Sequence, residues 1–355
     1  MTTEVGANAA GPRALPDVDA LARYLAGRVA GFDAPVTIEA LAGGQSNPTF
    51  LVRAGGRRYA LRTKPGRAAD LLPSAHQIER EYRVIAALSA SDVPVPGVHH
   101  LCTDEAVIGR AFYLMDFVEG RGFIDPRLPT LPAGERGALF GEMVRVLARL
   151  HRLDYTALGL GDFGRPGEYL QRQIARWSKQ YRASETERID AMDRLIEWLP
   201  TRVPADDGAC LVHGDYRLDN LVIDAQEPRV IAVLDWELAT LGSPLADFSY
   251  HCCVFHFPTG VYRGLAGIDY VALGIPSEQS YIDAYCRETG RAGIADWDYY
   301  IAYNFFRMAA IVQGIRKRAE LGTAAGANAI EFGRGARQLA ELGWERAMRL
   351  GARSV

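Results

Sequence analysis

Cysteine is scarce in this sequence. Five cysteines, an odd number, are spread over 355 residues, and none shows the paired spacing of a zinc site. Small chains that depend on disulfides are usually secreted, so the composition favours a reduced, cytoplasmic protein with an apolar core. The adjacent Cys252 and Cys253 are interpreted as buried apolar filling rather than as a redox or metal site.

Long apolar runs and a large net charge are also missing. No run approaches the roughly 18–20 apolar residues that span a bilayer, so no membrane partner is expected. The formal net charge is only −3, which provides no basic field for nucleic acid. Residues 1–16 are rich in alanine and glycine and lack the basic-then-apolar order of a signal peptide, so we expect a disordered tail. Composition leaves the oligomeric state open.

One stretch carries most of the functional signal. It consists of Leu211–Ile223 followed by Val230–Glu237. Two short apolar runs flank a turn-prone segment, which predicts a β-hairpin. A polar loop precedes the first strand and a carboxylate follows the second. We therefore expect Asp215, Asn220 and Asp235 to lie close together.

Phosphoryl transfer is the chemistry that needs these three side chains. A carboxylate orients the acceptor hydroxyl and takes its proton, while an amide oxygen and a second carboxylate hold Mg²⁺ against the nucleotide phosphates. Asn220 follows Asp215 by five positions, as in the kinase catalytic loop, and His213 takes the place of the loop histidine. The match is incomplete, because Gly214 replaces arginine and Trp236 follows Asp235 where kinases have phenylalanine. A lone His-Gly-Asp also fits a simple turn, but the joint pattern is much rarer.

The N-terminal region is predicted to form strands over residues 36–41, 49–53 and 58–62, after a short helix capped by Asp17. The loop between the first two strands contains glycines, which let backbone N–H groups approach phosphates, and two polar side chains. An ordinary turn explains the same residues. The candidate phosphate contacts in this loop are Gly43, Gly44, Ser46 and Asn47.

The third strand ends in two basic side chains. Arg62 falls at the position of the phosphate-contacting lysine of kinases, and Lys64 is its competitor. Residues 77–88 predict an amphipathic helix that carries the acidic partner of this base. Glu81 is the first candidate and Glu79 the second.

A later run, residues 111–120, predicts an apolar strand with a polar, glycine-containing stop, and in a two-lobed kinase the hinge that binds adenine is such a strand end. Met115 would border the adenine pocket, and the backbone of Asp116, Phe117 and Val118 would offer hydrogen bonds. An ordinary core strand is the alternative for the remaining residues.

Helical periodicity dominates the rest of the chain, with helices predicted over 139–151, 167–181, 185–199, 281–286, 299–316 and 330–350. Asp247 is interpreted as an anchor for the catalytic loop or as a helix N-terminal carboxylate. Arg307 and Arg316 lie in a basic cluster that suits an anionic acceptor, such as a carboxylate or a CoA phosphate. A solvated helix face explains this cluster equally well.

Several motifs in order resemble the aminoglycoside phosphotransferase and choline kinase family, in the branch similar to the kinase-like domain fused to some acyl-CoA dehydrogenases. They cover residues 43–50, 61–65, 71–76, 79–85, 211–220 and 234–237. The resemblance implies an α+β, two-lobed protein-kinase-like fold with a small antiparallel β-sheet lobe, a larger helical lobe and Mg²⁺-ATP in the cleft. It implies a nucleotide-binding lobe over 17–120 and a catalytic and acceptor-binding lobe over 121–355.

Position by position, the resemblance makes Asp215 the catalytic base, Asn220 and Asp235 the Mg²⁺ ligands, and Arg62 and Glu81 the phosphate contact and its partner. It implies an ATP- and Mg²⁺-dependent transfer of a phosphoryl group to a hydroxyl of a small molecule. The acyl-CoA dehydrogenase link suggests a hydroxyacyl-CoA or hydroxy acid. A regulatory pseudokinase and an aminoglycoside O-phosphotransferase are the alternatives. The choice between ATP and GTP stays open.

Overall fold

The computed structural model describes residues 15–41, 47–65, 77–205, 208–259, 263–322 and 333–352. These residues form two compact units. The first comprises the described residues up to Gly120 together with Ile231–Glu237, and the second comprises Arg121–Val230 together with the described residues from Leu238 onward. The predicted tail lies almost wholly outside the described residues, and the lobe limits expected from the sequence stay a prediction.

The first unit is built on a five-stranded antiparallel sheet in the order β1-β2-β3-β5-β4. Its strands are β1 (Thr37–Ala40), β2 (Thr49–Ala54), β3 (Arg57–Thr63), β4 (Val98–Cys102) and β5 (Phe112–Asp116). The turn between β2 and β3 needs glycine, because Gly55 has φ 57° and a Cβ there would lie 2.1 Å from the carbonyl oxygen of Gly31. Strand β4 was not predicted. Its first four residues are all half-buried, so buried and exposed positions do not alternate along it as they do in a typical half-buried strand.

Two helices pack with this sheet. Helix α1 (Val18–Leu25) begins at Asp17, whose side chain accepts a hydrogen bond from the Ala20 N–H at 2.9 Å, and it buries two leucines against β2 and β3. The helix ends at Leu25, so it is short, as predicted. Helix α2 (Ile78–Leu88) turns an apolar face inward and carries one acidic residue on that face.

The second unit is mainly helical. Its helices are α3 (Ala133–Arg152), α4 (Tyr169–Ser184), α5 (Asp190–Trp198), α6 (Pro244–Cys252), α7 (Glu278–Thr289), α8 (Trp297–Glu320) and α9 (Ala336–Arg349). Helix α8 is buried along most of its length and packs against α4, α6 and α9, while α3 packs against α7. Among the described residues, no helix combines the length and apolar character required to cross a bilayer.

Short strands flank the loop of interest. Strand β6 (Cys210–Val212) pairs antiparallel with β9 (Thr240–Gly242) and ends where the His-Gly-Asp loop begins. Strands β7 (Leu221–Ile223) and β8 (Val230–Val233) border a turn in which the Asp224 N–H donates to the Arg229 carbonyl oxygen at 2.8 Å. The predicted turn is therefore present between two short strands.

Candidate functional site

In the first unit, Arg62 on β3 forms a two-point contact with Glu81 on α2. The Nε atom of Arg62 donates to Glu81 Oε2 at 2.9 Å, and Nη2 lies 2.8 Å from Oε1. Nη2 also donates to Asp235 Oδ1 at 2.6 Å. Both members of the pair are buried, and Glu81 is only 1% exposed. Glu81, the first of the two acidic candidates, is thus the residue that faces Arg62.

Lys64, the competing base, has a separate partner. Its Nζ lies 2.5 Å from Glu79 Oε1, and both side chains are partly exposed. The two basic candidates and the two acidic candidates therefore form two pairs, one buried and one near the surface. This geometry favours Arg62 for the phosphate role, which stays a prediction.

Negative charge exceeds positive charge around Arg62. Three carboxylates face one guanidinium, since Glu237 Oε2 lies 4.0 Å from Arg62 Nη2 in addition to Glu81 and Asp235. Burial raises the pKa of Glu81 to about 7, and the charge of Arg62 only partly opposes this shift. A divalent cation would find a strong favourable potential beside these carboxylates.

Asp235 adopts an uncommon backbone conformation. Its φ is 66°, in the left-handed region that aspartate tolerates better than most residues. Val233, two residues before Asp235, is held by two hydrogen bonds: its N–H donates to Pro94 O at 2.8 Å, and its carbonyl accepts from Trp236 Nε1 at 2.9 Å. The chain around Asp235 is thus fixed, and this turn directs its carboxylate toward Arg62.

Two of the three backbone N–H groups at the predicted hinge already donate hydrogen bonds within the protein. Met115 is buried in β5, the Asp116 N–H donates to Gly97 O at 2.7 Å, and the Phe117 N–H donates to Arg58 O at 3.4 Å. Among the described residues, none accepts a hydrogen bond from the Val118 N–H. Of the three predicted backbone donors, Val118 is therefore the one left for a ligand.

The predicted phosphate loop is described only at its end. Gly43, Gly44 and Ser46 lie outside the described residues. Asn47 is fully buried, and its Nδ2 lies 3.4 Å from Glu81 Oε2. Its side chain thus supports the Arg62–Glu81 pair, a role that the sequence did not suggest.

In the second unit, Asp247 on α6 holds the His-Gly-Asp loop. Its two carboxylate oxygens accept the backbone N–H groups of His213 at 2.8 Å and Gly214 at 2.9 Å, and His151 Nε2 lies 3.2 Å from Oδ2. Burial alone would raise the pKa of Asp247, but the hydrogen bonds and charges of His151 and His213 together outweigh it and lower the pKa. Asp247 fits both sequence interpretations, because it anchors the loop and also lies in the first turn of α6.

The backbone conformation at position 214 requires glycine where the kinase loop has arginine. Its φ is 81°, and a Cβ at this position would lie 2.8 Å from the carbonyl oxygen of Leu238. Arginine, the residue of the kinase loop, would clash there.

Asp215 and Asn220 are in direct contact. The Nδ2 atom of Asn220 donates to the Asp215 backbone oxygen at 2.9 Å and to its Oδ2 at 3.1 Å. These bonds commit the amide nitrogen, so the carbonyl oxygen of Asn220 is the atom available to a cation. The Asp215 side chain is 23% exposed, which leaves it accessible to a substrate hydroxyl.

Three residues around this loop were missed or given another role from the sequence. Arg307 on α8 is buried and donates to Gly214 O at 2.7 Å, so it supports the loop instead of lying on the surface. Tyr250 donates to Asp215 Oδ1, and His251 Nδ1 bonds the Tyr216 carbonyl oxygen at 3.2 Å. Tyr250 and His251 lie three and four positions after Asp247 on one face of α6, and this spacing is the signal that could have found them. Arg307 lies on α8, and no local pattern links it to the loop.

Arg316, the other base of the predicted anion site, is engaged elsewhere on α8. It pairs with Glu187 and with Glu320, the latter at 3.0 Å. This pairing favours the interpretation of a solvated, ion-paired helix face for Arg316.

Asp235 in the first unit carries a carboxylate, and Asn220 in the second unit carries a side-chain amide oxygen; each is a donor type that Mg²⁺ prefers. Within the described ranges, no group of three or more His, Cys, Asp or Glu side chains could hold a metal. A magnesium ion would therefore need oxygens from nucleotide phosphates and water as well, which is how Mg²⁺ is usually held in phosphoryl-transfer sites.

Residues 37–298 match the model of the phosphotransferase enzyme family. Acyl-CoA dehydrogenase family member 10 of Mus musculus is 44% identical over 338 residues, covering 94% of this chain and 31% of the mouse protein. Acyl-CoA dehydrogenase family member 11 of Homo sapiens is 40% identical over 333 residues, covering 92% of this chain and 42% of the human protein. The chain spans less than half the length of these curated relatives.

Two solved structures show the same fold. A Ralstonia eutropha JMP134 protein, provisionally described as an aminoglycoside phosphotransferase, is 51% identical with a TM-score of 0.87, covering 94% of this chain and 99% of that one. Choline kinase from Cryptosporidium parvum Iowa II shares 11% identity with a TM-score of 0.66, covering 94% of this chain and 97% of that one, and shows the fold alone. The predicted α+β kinase-like fold is confirmed, and this chain belongs to the phosphotransferase enzyme family.

Proposed function

We propose that this protein is an ATP- and Mg²⁺-dependent phosphotransferase that transfers the γ-phosphoryl group to a hydroxyl of a small molecule. One observation carries the proposal: a partly exposed Asp215 carboxylate on a loop whose backbone is fixed by buried bonds to Asp247 and Arg307. A kinase base needs this combination of access and rigid placement.

The chemistry is a direct in-line transfer. The acceptor hydroxyl donates a hydrogen bond to Asp215, its oxygen bonds the γ-phosphorus, the bond to the ADP oxygen breaks, and the hydroxyl proton passes to Asp215. Arg62, held by Glu81, would contact the nucleotide phosphates. Asn220 and Asp235 would hold Mg²⁺, which neutralises charge on the phosphates when bound. The Val118 N–H would bind the base edge of the nucleotide.

The acceptor we favour is a hydroxyacyl-CoA or a hydroxy acid. The relatives carry acyl-CoA dehydrogenase names, which links this family branch to acyl substrates by analogy. Arg217 does not add to this argument, because its side chain pairs with Asp219 at 2.7 Å and lies 3.6 Å from Asp215, so two carboxylates balance its charge.

A regulatory module that binds nucleotide without turnover is the second candidate. Arg62 stands where kinases have lysine, and its guanidinium is already committed to Glu81 and Asp235. Nucleotide binding with no acceptor-dependent turnover would favour this role.

Acceptor-dependent ADP release from Mg²⁺-ATP tests the proposal. Pools of hydroxyacyl-CoAs, hydroxy acids, amino alcohols, sugars and aminoglycosides are compared for the wild type, Asp215→Asn and a control, Glu227→Gln. Glu227 is 70% exposed, so its change should have no effect. Turnover with one pool that Asp215→Asn abolishes supports the kinase. Turnover that survives in Asp215→Asn, or none with any pool, contradicts it.

A further inference from the structure

Helix α6 contacts every residue of loop 213–216. Asp247 accepts the backbone N–H groups of His213 and Gly214, Tyr250 donates to the carboxylate of Asp215, and His251 bonds the carbonyl oxygen of Tyr216. Positions three and four apart lie on one face of a helix, so a single helix face determines the path of the loop.

The helix is itself well fixed. The Ser243 hydroxyl caps its N-terminus by accepting the Ala246 N–H at 3.2 Å, and Asn304 on α8 donates to Ala246 O at 2.9 Å. His251 Nε2 bonds the Tyr281 hydroxyl on α7 at 2.7 Å. Neighbouring helices thus hold α6 rigidly, and rigid elements place functional groups more accurately than loops do.

Each oxygen of the Asp215 carboxylate has its own donor. Tyr250 donates to Oδ1 from α6, and Asn220 Nδ2 donates to Oδ2 at 3.1 Å from the Asp215 loop. Two donors on two different elements fix both the position of the carboxylate and the orientation of its plane.

Tyr250 is fixed in turn. The guanidinium of Arg307 lies 5.0 Å from the centre of the Tyr250 ring, and the same guanidinium donates to Gly214 O. Burial and the nearby Asp215 charge raise the pKa of Tyr250 well above its usual value, so the hydroxyl keeps its proton and remains a donor.

We propose that Tyr250 is a positioning residue that orients the carboxylate of Asp215 for the acceptor hydroxyl. The inference rests on the proposed role of Asp215 as the base. Charged groups that interact with this carboxylate include Arg217 and Asp219 on its own segment and Arg307 on α8. Tyr250 differs from them because it is a neutral donor in direct contact with the carboxylate.

Tyr250→Phe tests the inference with little disturbance, because the ring beside Arg307 remains and only the hydroxyl is lost. Tyr299→Phe is the matched control: it removes another buried phenol hydroxyl, which donates to Leu199 O at 2.9 Å. A purely structural effect should appear in both variants, and a positioning effect only in the first.

The first measurement needs no acceptor. Carbon-13 NMR of selectively labelled aspartate at one fixed pH reports the chemical shift of the Asp215 carboxylate, whose signal is assigned by its loss in Asp215→Asn. Removing the hydroxyl that donates to Oδ1 should move this signal in Tyr250→Phe. Tyr299→Phe should match the wild type. An unchanged carboxylate signal in Tyr250→Phe overturns the proposal.

The second measurement uses steady-state kinetics with an active acceptor. We expect kcat to fall about 10- to 100-fold in Tyr250→Phe, with the KM for ATP changed by less than about twofold. A moved carboxylate signal with unchanged kcat also overturns the positioning role. If the wild type turns over no acceptor, the proposed function fails, while the carboxylate signal still decides whether Tyr250 holds Asp215.

Discussion

Arg62 and Glu81 form a buried two-point ion pair within the first unit, with contacts of 2.9 and 2.8 Å. Arg62→Ala would leave the Glu81 carboxylate buried without its main partner. We expect the free energy of unfolding to fall by about 3–5 kcal/mol, as when one member of a buried ion pair is removed. Urea denaturation at pH 8 measures it.

Lys64→Ala is the matched control for this change. Lys64 and Glu79 are 28% and 36% exposed, so breaking their pair should cost less than about 1 kcal/mol. Equal losses in the two variants would show that burial of the Arg62 pair has no energetic consequence.

Gly214→Ala is expected to destabilise the protein and to reduce any phosphotransfer activity. Alanine at φ 81° carries the left-handed cost of about 1–2 kcal/mol, and its Cβ also meets the Leu238 carbonyl oxygen at 2.8 Å. Gly290→Ala is the control, because Gly290 has φ 72° and no atom within 4 Å of the added Cβ. Thermal and urea unfolding should show a loss larger by about 1–3 kcal/mol in Gly214→Ala. An equal loss of unfolding free energy in both variants would mean that the loop shifts enough to relieve the contact with Leu238.

Because of His251, the free energy of unfolding is expected to fall as the pH is lowered into the mildly acidic range. Burial lowers its pKa from 6.5 to about 4, so the folded state binds fewer protons than the unfolded state. The stabilising contribution is complete above pH about 6.5 and is lost as the pH falls toward 4, by about 1.4 kcal/mol per pH unit.

The measurement compares unfolding free energies of the wild type and His251→Gln at pH 7.5 and pH 5. Other titrating groups cancel in the difference between the two proteins. The wild type should lose about 2 kcal/mol more than the variant over this interval. Parallel pH dependence in the two proteins would rule out a buried neutral His251.

Val118→Pro should weaken nucleotide binding. The change removes the N–H that we assign to the base edge, while the N–H groups of Asp116 and Phe117 keep their sheet partners. The loss of one hydrogen bond predicts a dissociation constant for ATP that is about 3- to 10-fold higher by calorimetry. Val118→Ala keeps the N–H and should bind ATP as the wild type does. Equal affinities for ATP in the two variants would show that the Val118 N–H does not bind the nucleotide.

Local patterns were enough to predict much of the fold. Strands β2 and β3 follow β-rich runs around a Gly-Gly turn, and α2 follows a clear apolar stripe. Strands β6 and β9 were missed because their pairing joins segments that are distant in sequence, whereas the equally short β7 was indicated by the turn that follows it. Periodicity cannot be detected in so short a segment.

The site could be predicted where its residues lie within one short sequence motif. Asp215 and Asn220 are five positions apart, and the structure brings them into contact. Tyr250 lies 35 positions from Asp215, and Arg307 lies 93 positions from Gly214. Such contacts depend on helix packing in three dimensions. The sequence therefore predicts that Arg307 contacts an anionic acceptor or lies on a solvated helix face, whereas in the structure it is buried and donates to Gly214 O.

The segment Ile231–Glu237 belongs to the first unit although the residues on both sides of it belong to the second. A gene interrupted after residue 120 would encode a fragment that carries Arg62 but lacks Asp235. The acidic cluster around Arg62 therefore cannot be transferred to another protein with the N-terminal segment alone. A chimera of two relatives keeps the cluster only when residues 231–237 match the N-terminal segment.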